Sequence, residues 1–175
     1  KNYNHLLRVA LNKKFISISL RNRIKPNNNF GIKLVNYERV KPEYKNLKYK
    51  KILSYLSKMN TSKEDIALCV KDRIFETGTS NLLFVKNNKI YSPKNKYYRG
   101  TNFKFYEKKF NIIKKDIYLK ELNQFDEILL IGSGKGVVSA SYILGSKWKR
   151  RKTKVFNSIY KTFKKEFIKS KYIYN

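Results

Sequence analysis

The hydrophobic and polar positions in the first part of the chain alternate as they do in β-strands. Residues 6–11 and 15–20 are short apolar runs, and in the second run isoleucine and leucine alternate with serine. Residues 30–40 form a third such run. A period of two places successive side chains on opposite faces of a strand. We therefore expect three strands here, with a polar linker at residues 21–29.

The middle of the chain changes to a helical period and then returns to strands. Residues 46–59 have apolar side chains at helical spacing and predict a helix. The continuous apolar run that follows predicts a strand covered on both faces. Two hairpins are predicted in this part, and they pair residues 66–70 with 73–76 and residues 82–85 with 89–93.

The last part of the chain adds two helices and another hairpin. Residues 98–112 predict a glycine turn followed by a helix, and residues 117–122 begin a short element. Residues 126–143 predict a strand, a glycine-rich turn and a second strand. Apolar positions at helical spacing predict a helix over residues 153–174. Strand groups separated by single helices indicate a mixed α+β fold rather than strict β–α–β alternation.

The composition allows two classes of partner. The chain has 175 residues, which suits one domain, and its 41 basic and 12 acidic residues give a formal charge of +29. Such a charge is typical of nucleic-acid or acidic-membrane binding. Lysine, however, far outnumbers arginine, and the abundant lysine, asparagine, isoleucine and tyrosine share A/T-rich codons. We therefore favour a solvated basic surface, and a nucleic-acid-binding domain stays as an alternative.

The scarcity of cysteine and histidine excludes two kinds of site. Cys69 and His5 are the only residues of their types, so the chain can form no internal disulfide and no multi-ligand Cys/His metal site. No apolar run approaches the roughly 18 residues of a membrane span, and no signal peptide is recognisable. These features predict a cytoplasmic protein without a membrane anchor or a bound metal.

Four short segments contain candidate functional residues. Glu76 follows an apolar run, and a buried carboxylate needs a partner, although a surface salt bridge with a lysine explains it equally well. Glycines at residues 132–136 match neither common phosphate-loop pattern, but their N–H groups can approach an anion. Residues 99–101 open a predicted helix, whose first N–H groups are free. By itself, Lys48 is an ordinary solvated lysine.

Taken in order, these segments resemble the signature of the class IV aminotransferase family, whose members are fold-type IV pyridoxal-phosphate enzymes. The clearest stretch is ETGTSNLLFV, residues 76–85, followed by KIYSP. Leu47-Lys48 precedes it, and Gly100-Thr101 follows it. The resemblance spans about residues 30–143 and ends with the strand and turn DEILLIGSG, which begins at Asp126.

The resemblance implies an α+β fold, the large domain of a fold-type IV enzyme, in which helices flank a mixed, barrel-like sheet. That domain would comprise residues 30–175, after the linker at 21–29. Residues 1–20 would be the last strands of a small N-terminal domain. The arginine that family members contribute to the cofactor phosphate from earlier in that domain would lie outside this chain.

The resemblance also implies pyridoxal 5'-phosphate as the cofactor and a role for each motif. Lys48 would form the Schiff base and carry protons, and Glu76 would pair with the pyridine nitrogen. The remaining cofactor-binding positions would line the pocket or hold the phosphate, and they are Thr79, Ser80, Asn81, Gly100, Thr101, Asn102, Ser133 and Gly134.

Within the family, the leucine-containing segment after Lys48 is closer to the lyase and D-amino-acid types than to the branched-chain type. The resemblance therefore implies a 4-amino-4-deoxychorismate lyase that releases 4-aminobenzoate and pyruvate, acts on a small anionic substrate and forms a homodimer. A D-amino-acid or branched-chain type aminotransferase is the alternative. The chain departs from the family pattern at Lys51, Asn102-Phe103 and Ser139, so a family member without cofactor also stays open.

Overall fold

The computed structural model describes residues 5–171, with side chains as far as residue 166. Within this range a two-stranded sheet precedes a mixed sheet of nine strands, and three α-helices accompany them. The strands are β1 His5–Leu11, β2 Ile16–Asn22, β3 Phe30–Asn36, β4 Glu64–Val70, β5 Arg73–Thr77, β6 Asn81–Lys86, β7 Lys89–Pro93, β8 Ile112–Lys115, β9 Ile117–Tyr118, β10 Glu127–Gly132 and β11 Gly136–Leu144. The helices are α1 Lys50–Leu56, α2 Thr101–Lys109 and α3 Lys154–Lys171, with a 3₁₀ helix at Leu119–Gln124.

The nine-stranded sheet contains the hairpins that the sequence predicts. Its order is β8-β7-β6-β10-β11-β3-β4-β5-β9. The hairpins β4–β5, β6–β7 and β10–β11 are antiparallel, whereas β3 pairs in parallel with both β11 and β4. The pairing of β6 with β10 places the two central hairpins side by side.

Side-chain alternation gives this sheet an apolar cluster on each face. In β6, Leu82 and Phe84 belong to one cluster, and Leu83 and Val85 belong to the other. The first cluster is closed by Trp148 and the 3₁₀ helix, and the second by helices α2 and α3. A third, smaller cluster holds α1 against β4 through Ile52. The continuous apolar run of β4 is buried on both faces, as predicted.

The two-stranded sheet differs from the rest, because its apolar face is open to solvent. β1 and β2 pair antiparallel, and their apolar side chains lie on one face at 53–70% exposure. Those side chains are Leu7, Val9, Leu11, Ile16, Ile18 and Leu20. Thus the predicted alternation of β2 is confirmed, but within the described residues nothing covers its apolar side. The assignment of these strands to a small N-terminal domain stays a prediction.

The predicted helix over residues 46–59 is too long, since α1 ends at Leu56 and also starts late. The helix α1 begins at Lys50, and the preceding residues are irregular. Asn46 explains the difference, because its side-chain nitrogen donates to the carbonyl of Val40 at 2.9 Å and its oxygen accepts from the Lys48 N–H at 2.9 Å. Such local side-chain bonds compete with helical hydrogen bonding. The strand predicted over residues 30–40 likewise stops at Asn36.

The C-terminal helix is confirmed over the part that the structure describes. Helix α3 covers Lys154–Lys171 and packs Val155 and Ile159 into the second apolar cluster. The last residues of the predicted helix, 172–174, lie outside the described range. None of the described helices combines the length and the apolar character that crossing a bilayer requires.

Candidate active site

Glu76 lies near the end of β5 with only 3% of its surface exposed. One carboxylate oxygen accepts from the Arg39 Nε at 2.8 Å, and the other accepts from the Tyr98 backbone N–H at 3.2 Å. Burial raises the pKa of Glu76 from 4.5 to about 7, although Arg39 and the Tyr98 N–H pull it down. The alternative of a surface salt bridge with a lysine is therefore wrong.

Arg39 is a candidate site residue that the sequence reasoning missed. It lies three residues beyond the end of β3, is 15% exposed at its side chain, and also donates to the Gly78 carbonyl at 3.5 Å. The sequence pattern placed it inside a strand, where nothing indicated a partner. The one available signal was its type, because arginine is the usual partner of a buried carboxylate.

Residues 77–80, here called the threonine turn, connect β5 to β6. The hydroxyl of Thr77 accepts from the Ser80 N–H at 2.8 Å and shapes the turn. The hydroxyls of Thr77 and Thr79 lie 3.1 and 2.6 Å from the same oxygen of Asp65. The hydroxyl of Thr79, which the sequence placed in the pocket lining, therefore already has a buried partner.

Asn81 connects the threonine turn to the start of α2. Its side-chain nitrogen donates to the Tyr98 carbonyl at 2.7 Å, and its oxygen accepts from the Gly100 N–H at 3.2 Å. Asn81 is 5% exposed. The structure therefore brings Asn81 and Gly100 together, and the asparagine fixes the backbone immediately before the first helical residue, Thr101.

The N-terminus of α2 retains free donors. Gly100 is the N-cap and makes no side-chain capping bond, and the N–H groups of Thr101 and Asn102 have no acceptor among the described residues. The helix dipole and these free N–H groups favour an anion here. Phe103 stands where the family pattern has an arginine, and it is fully buried in the second apolar cluster. It cannot replace that arginine as an anion ligand.

Residues 132–136, here called the glycine turn, connect β10 to β11 and lie against the threonine turn. A Cβ on Gly132 would stand 2.6 Å from the Ser80 hydroxyl, so this position has no room for a side chain. Ser133 is exposed, and its carbonyl accepts from Arg23 at 3.4 Å. Thus Ser80 touches one anion-binding candidate, and its neighbour Asn81 bonds to the other.

Lys48 is the predicted site residue that the structure leaves apart. Its side chain is exposed, and the Lys48 Nζ forms no hydrogen bond or ion pair with the residues that the structure describes; only the backbone N–H of Lys48 is bonded, to Asn46. The surrounding segment is anchored, because Lys45 lies over the Tyr98 ring at 5.4 Å and Tyr49 accepts from Arg8 at 2.7 Å. Tyr98 in turn donates to Glu76, so this segment runs beside the buried carboxylate.

A model of the family described as amino-transferase class IV matches residues 16–143 of the chain. That range contains β2 through most of β11 and every predicted site residue. The sequence has no significant match among curated proteins.

Several solved structures share the fold. A putative 4-amino-4-deoxychorismate lyase from Legionella pneumophila superposes with a TM-score of 0.73 at 13% identity, over 86% of this chain and 60% of that one. A branched-chain aminotransferase from Thermoproteus uzoniensis, solved with norvaline, gives 0.72 at 13% identity over 90% and 59%. An aminotransferase from Brucella abortus, bound to the cofactor PLP, gives 0.69 at 15% identity over 87% and 59%.

These similarities confirm the predicted α+β fold of the fold-type IV enzymes. The chain spans about 60% of the length of the first two solved structures.

Proposed function

The chain belongs to the class IV aminotransferase family, and on that premise we propose that it is the cofactor-binding part of a pyridoxal-phosphate-dependent enzyme. The observation that carries the proposal is Glu76, a buried carboxyl whose pKa is raised to about 7. Perturbed carboxyls in the interior are characteristic of functional sites. The segment that follows it, residues 77–81, contacts both anion-binding candidates.

Glu76 fits the role of partner to the pyridine nitrogen. A carboxyl with a pKa near 7 holds or releases its proton at neutral pH. A positive nitrogen beside it would favour the ionised carboxylate, and the ionised carboxylate would in turn keep that nitrogen protonated. Arg39 and the Tyr98 N–H hold the two oxygens in place, so the carboxyl presents a fixed orientation.

The phosphate end fits the N-terminus of α2 together with the glycine turn. Thr101 and Asn102 offer backbone N–H groups without acceptors in the described structure, and Ser133 and Gly134 offer a hydroxyl and backbone N–H groups. A Cβ on Gly100 would stand 3.1 Å from the Asn81 Oδ1, so glycine at this position leaves the Asn81 side chain in place. Thr79, Ser80 and Asn81 would form the wall between the two ends, with the Thr79 hydroxyl turned toward Asp65.

Pyridoxal phosphate, when bound, supplies an electron sink for charge that develops on the substrate. Lys48 would hold the cofactor covalently and would carry protons to and from the substrate carbon. Its amine suits this work, because it is exposed and has no ion-pair partner among the described residues. A lysine in a buried ion pair would lack that freedom.

For the reaction, we favour a 4-amino-4-deoxychorismate lyase that releases 4-aminobenzoate and pyruvate. The cationic surface suits a small anionic substrate, and the Legionella lyase shares the fold. The second candidate is an aminotransferase, since the Thermoproteus branched-chain enzyme superposes almost equally well. A homodimer remains part of the proposal.

Borohydride trapping tests the cofactor proposal directly. The full chain is incubated with pyridoxal phosphate, reduced with borohydride, digested and mapped by mass spectrometry. We expect the cofactor on Lys48, and we expect Lys48→Ala to lose the label. Lys50→Ala is the matched control, because Lys50 is an exposed lysine two residues away, and it should keep the label. Labelling spread over surface lysines, or no labelling, would refute the proposal.

A product assay separates the two candidate reactions. Protein loaded with pyridoxal phosphate, and not reduced with borohydride, is offered aminodeoxychorismate in one reaction and an amino donor with a 2-oxo acid in another. Release of 4-aminobenzoate that disappears in Lys48→Ala indicates the lyase. Transfer of the amino group to the 2-oxo acid without release of 4-aminobenzoate indicates the aminotransferase and refutes the lyase assignment.

A further inference from the structure

A buried ion pair joins the glycine turn to the start of β4, which also binds the threonine turn. Lys135 belongs to the glycine turn, and its Nζ lies 3.0 Å from the Asp65 Oδ2. The exposed fractions of the two side chains are only 4% and 0%. Neither residue is among the predicted site residues.

One oxygen of Asp65 holds both turns. Its Oδ2 accepts from Thr77, from Thr79 and from Lys135, at 3.1, 2.6 and 3.0 Å. Its Oδ1 accepts from the backbone N–H of Ile66 at 2.8 Å. The threonine turn and the glycine turn therefore both bind to a single carboxylate at the start of β4.

Stability alone does not account for such a pair. Removing two charges from water is costly, and well-packed apolar residues of similar volume often serve a fold as well or better. Apolar groups are available here, since the Lys135 Nζ also lies 5.0 Å from the centre of the Phe30 ring. A charged, hydrogen-bonded pair in such a place has a directionality that apolar side chains do not have.

The position of the pair indicates which geometry it fixes. Thr79 directly precedes Ser80, which lies against Gly132, and Lys135 follows Ser133 and Gly134 within the same turn. Fixing Thr79 and Lys135 to one oxygen therefore sets the distance between the threonine turn and the backbone of Ser133 and Gly134.

We propose that Asp65 and Lys135 are positioning residues, which hold the glycine turn at the distance from the threonine turn that binding of the cofactor phosphate requires. The inference rests on the proposed function, because it assigns the phosphate to the glycine turn. It predicts that the pair acts on recognition of the phosphate and leaves recognition of the pyridine ring unchanged. Groups that orient ligand-holding residues are worth about 10- to 100-fold in affinity at metal sites, and we expect a similar loss here.

The test compares pyridoxal phosphate with pyridoxal, which lacks the phosphate. The test variant is Asp65→Asn/Lys135→Met in the full chain, because removing both charges avoids a lone buried charge. Thr79→Val is a milder second variant, which removes the shorter of the two hydrogen bonds from the threonine turn to Asp65 and leaves the one from Thr77. Lys115→Met/Glu121→Gln is the matched control, since it removes an ion pair between β8 and the 3₁₀ helix. Lys135→Arg, made with Asp65 intact, retains the positive charge and should bind pyridoxal phosphate as the wild type does.

Two readouts are needed. In the ligand-free protein, amide hydrogen exchange should accelerate about tenfold in residues 77–80 and 132–136 of the test variant, because local opening limits exchange, and it should not change there in the control. The dissociation constant of pyridoxal phosphate should rise about tenfold or more, while that of pyridoxal should change less than about twofold.

Each contrary result has a distinct meaning. Faster exchange with equal changes in the dissociation constants of pyridoxal phosphate and pyridoxal would leave their ratio constant. That result would overturn the positioning role and leave the proposed function standing. Unchanged exchange in both turns would show that the Asp65–Lys135 pair does not hold the two turns in place. A wild-type chain that binds neither compound would overturn the proposed function, and the inference with it.

Discussion

Two buried carboxylates beside the threonine turn have different surroundings: Glu76 directly precedes the turn, and Asp65 of β4 binds two of its hydroxyls. Asp65 is fully buried and accepts four hydrogen bonds, including one from Lys135. Glu76 is 3% exposed and accepts only two, from Arg39 and from the Tyr98 N–H. Burial raises the pKa of Glu76 to about 7.

The difference indicates separate roles. A carboxylate saturated with donors has little left to offer a ligand, so Asp65 suits the work of holding backbone and side chains in place. A carboxyl with spare acceptor capacity and a pKa near neutrality suits proton exchange with a ligand, which is what we propose for Glu76. The following predictions test this division of roles.

The largest effect is expected from breaking the Asp65–Lys135 pair on one side only. Lys135→Met alone leaves a buried carboxylate without its cation, which should lower the free energy of unfolding by about 3–5 kcal/mol. Urea unfolding monitored by circular dichroism measures this value. Lys115→Met breaks a partly exposed pair and should cost no more than about 1 kcal/mol. Equal losses of unfolding free energy in the two variants would show that the buried pair of Asp65 stabilises the fold no more than a partly exposed pair does.

A smaller effect is expected at Glu76, and it depends on pH. The folded-state pKa lies above the ordinary 4.5, so the folded protein binds more protons than the unfolded chain between pH 4.5 and 7. The contribution of Glu76 to stability is thus fully present below pH 4.5 and is lost as the pH rises through 7. The shift corresponds to about 3 kcal/mol in order of magnitude.

Glu76→Gln removes that titration and supplies the comparison. Urea unfolding of both proteins at several pH values should show the wild type losing stability relative to Glu76→Gln between pH 4.5 and 7. The difference should stay constant above that window. Parallel curves of unfolding free energy against pH would mean that the Glu76 carboxyl has an ordinary pKa in the folded protein. The separate role that we assign to Glu76 would then lose its support.

The smallest effect is expected at the link between the threonine turn and α2. Asn81→Ala leaves the Tyr98 carbonyl and the Gly100 N–H without their side-chain partner, which should cost about 1–3 kcal/mol in unfolding free energy. Asn111→Ala, at an exposed asparagine, should change it by less than about 0.5 kcal/mol. Hydrogen exchange at residues 98–101 should increase in the first variant only. An unchanged exchange rate at residues 98–101 would show that Asn81 does not hold the segment between Tyr98, which binds Glu76, and the start of α2.

The sequence was sufficient for most strands and for the three hairpins, because periodic burial is a local property of the chain, although it missed β8 and placed the end of β3 too late. It did not reveal the shortened start of α1, since that depends on where the Asn46 side chain finds its partners. The resemblance marked Glu76, but its partner Arg39 lies 37 positions away in an irregular segment. No local pattern encodes such a distance.

The Asp65–Lys135 pair was hidden for the same reason. Asp65 lies at the end of a polar start signal, NTSKED, and Lys135 is one lysine among many in a glycine-rich hairpin. The pairing of β6 with β10 brings the two turns together, the pairing of β4 with β5 brings Asp65 to them, and both side chains lie in the interior. Positions joined across 70 residues are set by sheet topology, which periodicity does not determine.

The central claim is that Glu76 is the proton partner of the cofactor, and the titration of its carboxyl tests this most directly. With ¹³C-labelled glutamate, the side-chain carboxyl signal absent from Glu76→Gln identifies the residue in NMR spectra. We expect it to titrate near pH 7 in the ligand-free protein, in keeping with the raised pKa. With pyridoxal phosphate bound, it should be ionised well below that pH. A signal that titrates near 4.5 without ligand, or one that the cofactor leaves unchanged, would contradict the account.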